Sequence, residues 1–107
     1  VVRRSVRHGT SRGLAYRVAA IQSDGGVPNH EASASKLFGS ELNQRLANTQ
    51  VKVLGLAGQL RFESLYARME GRISHRYMFA IQDTIAAGTS EIQRNVIATR
   101  GLGLPRN

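Results

Sequence analysis

The sequence predicts an all-α fold, an antiparallel up-and-down helical bundle of about four helices. Three observations carry that reading. Apolar residues recur at helical spacing, as in Leu14, Val18 and Ile21, or Ala34, Phe38, Leu42 and Leu46. Turn chemistry separates these stripes, most plainly at Ser23-Asp24-Gly25-Gly26. No segment carries a convincing strand pattern.

The first helix covers residues 1–23. Val2 and Val6 extend its stripe upstream, while Gly9, Thr10 and Gly13 weaken its middle, each glycine costing about 1 kcal/mol against alanine. Pro28-Asn29 opens the second helix. Asn29 is a good N-cap, because its side-chain oxygen can accept an orphan backbone N–H. Glu31 falls in the first turn, at the positive end of the helix dipole. Leu37 and Val53 flank the stripe, and the helix runs to about Leu54 and stops at Gly55. At roughly 37 Å such a rod is longer than a compact ball of this chain length needs, which favours an elongated antiparallel bundle.

Residues 55–71 read as a connection punctuated by Gly55, Gly58 and Gly71, in which Phe62, Leu65 and Tyr66 can pack a short turn against the bundle. A third helix covers about 72–85, with Met78, Ile81 and Ile85 on one face, until Ala86-Ala87-Gly88 interrupts it. The fourth runs from about 91 to 100. Ser90-Glu91-Ile92-Gln93 is a capping-box pattern, with Ser90 capping the Gln93 amide and the Gln93 side chain reaching back. Ile92, Val96 and Ile97 form its apolar face; Gly101 ends it and Pro105 follows.

The 107 residues amount to one domain. The absence of cysteine excludes a disulfide scaffold, thiol catalysis and cysteine-ligated metal. No apolar run approaches the ~18 residues of a membrane span, and Val1-Val2-Arg3-Arg4 does not open a secretory signal. The expectation is therefore a cytoplasmic protein with no membrane partner. The formal charge of +8 comes from 15 basic residues against 7 acidic. The bases are scattered along the chain without a stripe or interleaved aromatics, which argues against nucleic acid and leaves a phosphate-rich cofactor or a basic partner-facing surface. His8, His30 and His75 lack the i, i+4 spacing and carboxylate partner of a metal site. Glu63 and Glu70, seven residues apart, read as a solvated face rather than a catalytic pair, and Tyr16, Tyr66 and Tyr77 as core-edge or interface residues.

The sharpest local motif is Ala87-Gly88-Thr89-Ser90-Glu91-Ile92-Gln93. A glycine and two hydroxyls ahead of a helix start offer backbone N–H groups and hydroxyl donors to an anion or phosphate. The same residues also serve a well-capped helix and nothing more.

The stretch Ala87–Arg106, AGTSEIQRNVIATRGLGLPR, resembles the C-terminal signature of acyl-CoA dehydrogenases. His30–Gly58, HEASASKLFGSELNQRLANTQVKVLGLAG, is similar to that family's long helix with an AKLFGSEL-type run and the LGxxG turn after it. Gly13–Gln22, GLAYRVAAIQ, resembles the preceding helix. The resemblance covers essentially the whole chain. It implies a partial C-terminal helical bundle domain over residues 1–107, with the first bundle helix lying before Val1.

The resemblance implies an FAD-dependent enzyme that removes two hydrogens across Cα–Cβ of an acyl-CoA thioester. A carboxylate takes the α-proton, the flavin takes the β-hydride, and electrons pass to an electron-transfer flavoprotein. It also implies bundles that pack into dimers or tetramers, with part of each FAD held by the neighbouring subunit. Carried over residue by residue, Gly88 matches the glycine against substrate, and Thr89, Ser90 and Glu91 match the turn that contacts FAD, where Glu91 often corresponds to glutamine. Lys52 and Gly55 fall in the segment that contacts FAD, where Lys52 replaces a glutamine and Leu56 a glycine. Lys52 either meets a phosphate or is a solvated helix-end lysine. Ala87 stands where the catalytic glutamate often lies, and a methyl group cannot take a proton. No catalytic residue is therefore expected here, and the chain is not expected to be active alone. Two alternatives remain: a non-catalytic partner subunit in a mixed oligomer, and a basic helical module for nucleic acid.

Overall fold

The computed structural model describes residues 2–106, with side chains from residue 5 onward. All regular structure among the described residues is helical. Helix α1 spans Val2–Ser23, α2 Asn29–Leu54, α3 Arg72–Gln82 and α4 Ser90–Val96. Two 3-10 turns, Gly55–Gln59 and Arg68–Gly71, lie between α2 and α3, and a π-turn, Ile97–Gly101, follows α4. No helix among the described residues is long and apolar enough to cross a membrane. The chain forms two compact units, Val1–Gly39 with Gly88–Asn107, and Ser40–Ala87.

In the first unit α1 is continuous through Gly9 and Gly13, and a methyl group added at either would meet nothing within 4 Å. The two glycines lower the helix's propensity without breaking it, because no backbone hydrogen bond depends on a side chain there. Its half-buried stripe is Arg7, Ser11, Leu14, Val18 and Ile21, spaced alternately by four and three residues. Val6, expected in that stripe, is 62% exposed. One residue is a rotation of about 100° on a helix, and the stripe passes through Arg7 instead. Val2 lies outside the residues whose side chains are described. The predicted stop is present: the Gly26 amide donates to the Ile21 carbonyl (2.9 Å) and the Gly25 amide to Gln22 (3.1 Å), a Schellman pair.

Asn29 is the first residue of α2, and its side-chain oxygen accepts from Arg100 Nη1 at 2.9 Å. The expected capping role thus gives way to a bond with a residue 71 positions away. The side chain of the adjacent His30 packs against Gly101, where a β-carbon would stand only 3.3 Å from two ring atoms and from the His30 β-carbon. The start of α2 and the end of the π-turn are therefore joined.

The second unit holds all four buried apolar side chains among the described residues: Leu42, Ala47, Ile73 and Ala80. In α3 the buried positions are Ile73, Ser74 and Ala80, whereas Met78, Ile81 and Ile85, expected to face the core, are 49, 42 and 61% exposed. The apolar residues cover two faces of α3, and packing selects the one that carries Ile73 and Ala80. The helix also ends at Gln82 rather than 85. Beyond it the chain tightens into i, i+3 bonds from Thr84 to Ile81 and from Ile85 to Gln82, and the Thr84 hydroxyl caps the Ile81 carbonyl at 2.7 Å.

The connection before α3 contains one left-handed turn, with φ of 51° at Met69, 56° at Glu70 and 71° at Gly71. Buried Ser74 ties this segment down, its hydroxyl lying 2.9 Å from both the Leu60 and Gly71 carbonyls. Phe62 meets His75 edge-on with ring centroids 5.2 Å apart, and His75 stacks on Phe79 at 4.4 Å. Arg76 donates to the Asn43 carboxamide oxygen at 3.3 Å, and the Asn43 amide donates to Asp83 at 2.5 Å.

Candidate functional site

The Ala87–Gln93 motif folds as a sharp turn into α4. Ala87 and Gly88 both adopt positive φ, 55° and 90°. Alanine at such an angle costs about 1–2 kcal/mol unless its surroundings hold it. Thr89 then returns to extended backbone and is the helix cap. Its hydroxyl oxygen accepts from the Ile92 amide at 3.3 Å, and its carbonyl accepts from the Gln93 amide at 3.0 Å. The capping register therefore lies one residue earlier than expected, at Thr89 rather than Ser90. Ser90 is the first helical residue and is buried. Gln93 is buried as well, and its side chain packs on Gly88, where a β-carbon would come within 2.6 Å of Gln93 Nε2.

One sequence-distant side chain reaches this turn. Lys36, half-buried on α2, donates from Nζ to the Gly88 carbonyl at 2.6 Å. It was not among the residues expected at the site. The signal for it is that Lys36 is the single charge between Glu31 and Glu41 on α2. A long cationic stem there needs a polar partner for its head.

The Glu91 carboxyl is held below its ordinary value of 4.5, first by its own backbone N–H, then by the Thr89 hydroxyl and by Arg94, whose guanidinium stands 3.9 Å away. Thr89 thus accepts from Ile92 and donates to Glu91. A carboxyl whose pKa is lowered on folding stabilises the fold above its unfolded value and loses that contribution as pH falls through the folded value. Amide-exchange protection at the start of α4 is therefore expected to weaken below about pH 4.5, and Glu91→Gln to abolish that pH dependence. Unchanged dependence in Glu91→Gln would assign it to another group.

The expected contacts are divided between the two units. Gly88, Thr89, Ser90 and Glu91 belong to the first unit with Lys36, whereas Lys52 and Gly55 belong to the second. Lys52 is exposed in the last turn of α2, and Gly55 opens the 3-10 turn that follows. The first unit also has a cavity of about 540 Å³ lined by Ile92, Asn95, Val96, Thr99, Leu104 and Arg106 among others. A second cavity, of about 490 Å³, lies in the other unit between Asn48, Val51, Gln59, Arg61, Tyr77 and Met78. Neither is lined by the expected contact residues. Of the two glutamates considered as a pair, Glu70 is bound by Arg72 at 2.9 Å. Among the described residues no group of three or more His, Asp or Glu is arranged to hold a metal ion.

The described residues are helical, with this turn between α3 and α4, and comparison with known proteins gives the family. Residues 2–102 match the family described as "Acyl-CoA dehydrogenase, C-terminal domain", and the chain belongs to that family. It is 37% identical over 94 residues to acyl-CoA dehydrogenase FadE26 of Mycobacterium tuberculosis, covering 85% of this chain and 24% of the relative. It is 31% identical over 91 residues to acyl-CoA dehydrogenase IpdE1 of the same organism, covering 85% and 23%. The chain thus spans about a quarter of these relatives. Among solved structures it is similar to the Tcur3481-Tcur3483 steroid ACAD, with a TM-score of 0.90 and 29% identity over 99% of this chain and 28% of that one. It is also similar to the ChsE4-ChsE5 complex from Mycobacterium tuberculosis, with a TM-score of 0.84 and 34% identity over 96% and 26%.

Proposed function

We propose that this chain works as the C-terminal helical part of an FAD-dependent acyl-CoA dehydrogenase, supplying cofactor contacts and subunit interface without a catalytic base. The observation that carries this reading is the Ala87–Glu91 turn, rigidly capped by Thr89 and held by Lys36, within a chain matched to that family from residue 2 to 102. FAD, when bound, supplies the two-electron acceptor. The residues of the turn fit its phosphate-bearing portion in kind. The Lys36 ammonium has three donors and commits one to Gly88, and the Thr89 hydroxyl can exchange Glu91 for another anionic oxygen. The exposed Glu91 carboxylate is the opposing charge and is displaced when such a group binds. Ser90 supports the turn from inside α4, and Lys52 and Gly55 offer contacts from the second unit, to a second FAD across a subunit boundary. Gly88 lies against the acyl thioester, and Ala87 leaves the α-proton to be taken by a residue at another position.

Acyl-CoA is the substrate class, and an electron-transfer flavoprotein takes the electrons onward. The word steroid in the name of one similar structure makes a steroid-bearing acyl thioester the first substrate to test. Exposed Leu65 (98%), Tyr66 (82%) and Phe62 (55%) in the second unit give it an apolar surface suited to a neighbouring subunit. A second reading, a non-catalytic partner in a mixed oligomer, is favoured by the paired names of the similar structures together with Ala87. Gel filtration of the complete gene product, alone and with its co-expressed companion, tests both. Flavin absorbance that co-elutes with the chain and bleaches on adding acyl-CoA supports the dehydrogenase. Flavin that requires the companion supports the mixed oligomer. A colourless protein in both preparations overturns the proposal.

A further inference from the structure

We infer that Lys36 is a positioning residue for cofactor binding, acting through the Gly88 carbonyl to hold the Ala87–Thr89 turn in its binding shape. The inference rests on the proposal that this turn contacts FAD. Two consecutive residues with positive φ, one of them alanine, are a conformation that a chain keeps only where its surroundings over-determine it. Two of the contacts that hold the turn come from α4 itself. Gln93 packs on Gly88 from within α4, and Thr89 caps the same helix. Both contacts are local to α4 and would travel with it if the turn rotated. The Lys36 bond differs, because it comes from a residue 52 positions away on α2 and anchors the turn to another helix.

The chemistry suits that task. The bond is short and charge-assisted, to a carbonyl oxygen, in a half-buried setting where water competes weakly. It fixes the orientation of the peptide between Gly88 and Thr89, and with it the direction of the Thr89 amide and hydroxyl. Glutamine at this position reaches less far and donates less strongly, and methionine donates nothing, whereas arginine keeps a cationic donor.

The test uses the complete flavoprotein, with its companion subunit if it purifies with one, as Lys36→Met and Lys36→Arg. Hydrogen exchange over residues 86–93 reads the turn, and the dissociation constant of FAD, titrated into deflavinated folded protein, reads the consequence. Lys36→Met is expected to speed exchange in that segment and to weaken FAD about tenfold, the loss of one charge-assisted hydrogen bond. Lys36→Arg is expected to restore both to within about threefold, as a retained cationic donor should. It also stands as the folded comparison if the methionine variant does not fold. Unchanged exchange in Lys36→Met, or faster exchange with unchanged FAD affinity, overturns the inference. A wild-type protein that holds no flavin fails the underlying proposal instead, and that is seen before any variant is made.

Discussion

Gly71→Ala is expected to destabilise the second unit by about 3 kcal/mol or more. Two costs add. The residue has a φ of 71°, in the left-handed region that alanine enters at about 1–2 kcal/mol. The added β-carbon would stand 2.5 Å from the Arg61 carbonyl carbon and from the Phe62 amide nitrogen. Those are backbone atoms, which cannot rotate away as the end of a side chain can. Relief would require the Arg61–Phe62 segment to move off the start of α3. Ser74 would then lose the Leu60 carbonyl and His75 its edge-on contact with Phe62. Hydrogen exchange across residues 40–87 of the intact protein measures the effect as lost protection. Wild-type protection in Gly71→Ala would mean that this close approach is not maintained in solution.

Ala47→Leu should cost about 2–3 kcal/mol, toward the upper end for overpacking. Ala47 is the most buried residue of α2, with no exposed surface. The other buried apolar residues of its unit include another alanine, Ala80, at 1%. Both alanines are closed in by their surroundings, and three extra carbon atoms have nowhere to go without displacing those neighbours. The same exchange measurement, or a lowered urea midpoint for this unit, checks it. A neutral result would show that the helices yield at that point.

Much of the chain was legible locally. The ends of α1 and α2 follow from the Gly25-Gly26 and Gly55 stops, and the stripe of Leu14, Val18 and Ile21 is half-buried as spaced. Glu91 lies in the first turn of α4, as its position ahead of Ile92 implied. The connection from 55 to 71 was recognisable from its glycines, but its left-handed turn at Met69 and Glu70 was not, because neither residue favours positive φ by itself.

The site was legible as a motif and not as a geometry. Gly88 and Thr89 form a turn ahead of a helix start, as the motif implied, yet the cap moved from Ser90 to Thr89, since a capping box can be written in two registers when two hydroxyls are adjacent. The role of Lys36 is not legible in the sequence, because a lysine on a helix reads as solvated until its partner, here the Gly88 carbonyl, is known.

Local order in this protein is a property of its sequence: helical period, caps and glycine stops act over four or five residues and need nothing else. The tertiary structure alone decided which face of α3 is buried, why Asn29 serves Arg100, how His75 lies between Phe62 and Phe79, and that Lys36 holds Gly88. Each of those choices joins segments that are distant along the chain or selects among several apolar faces. Only packing against a partner surface distinguishes the alternatives in free energy.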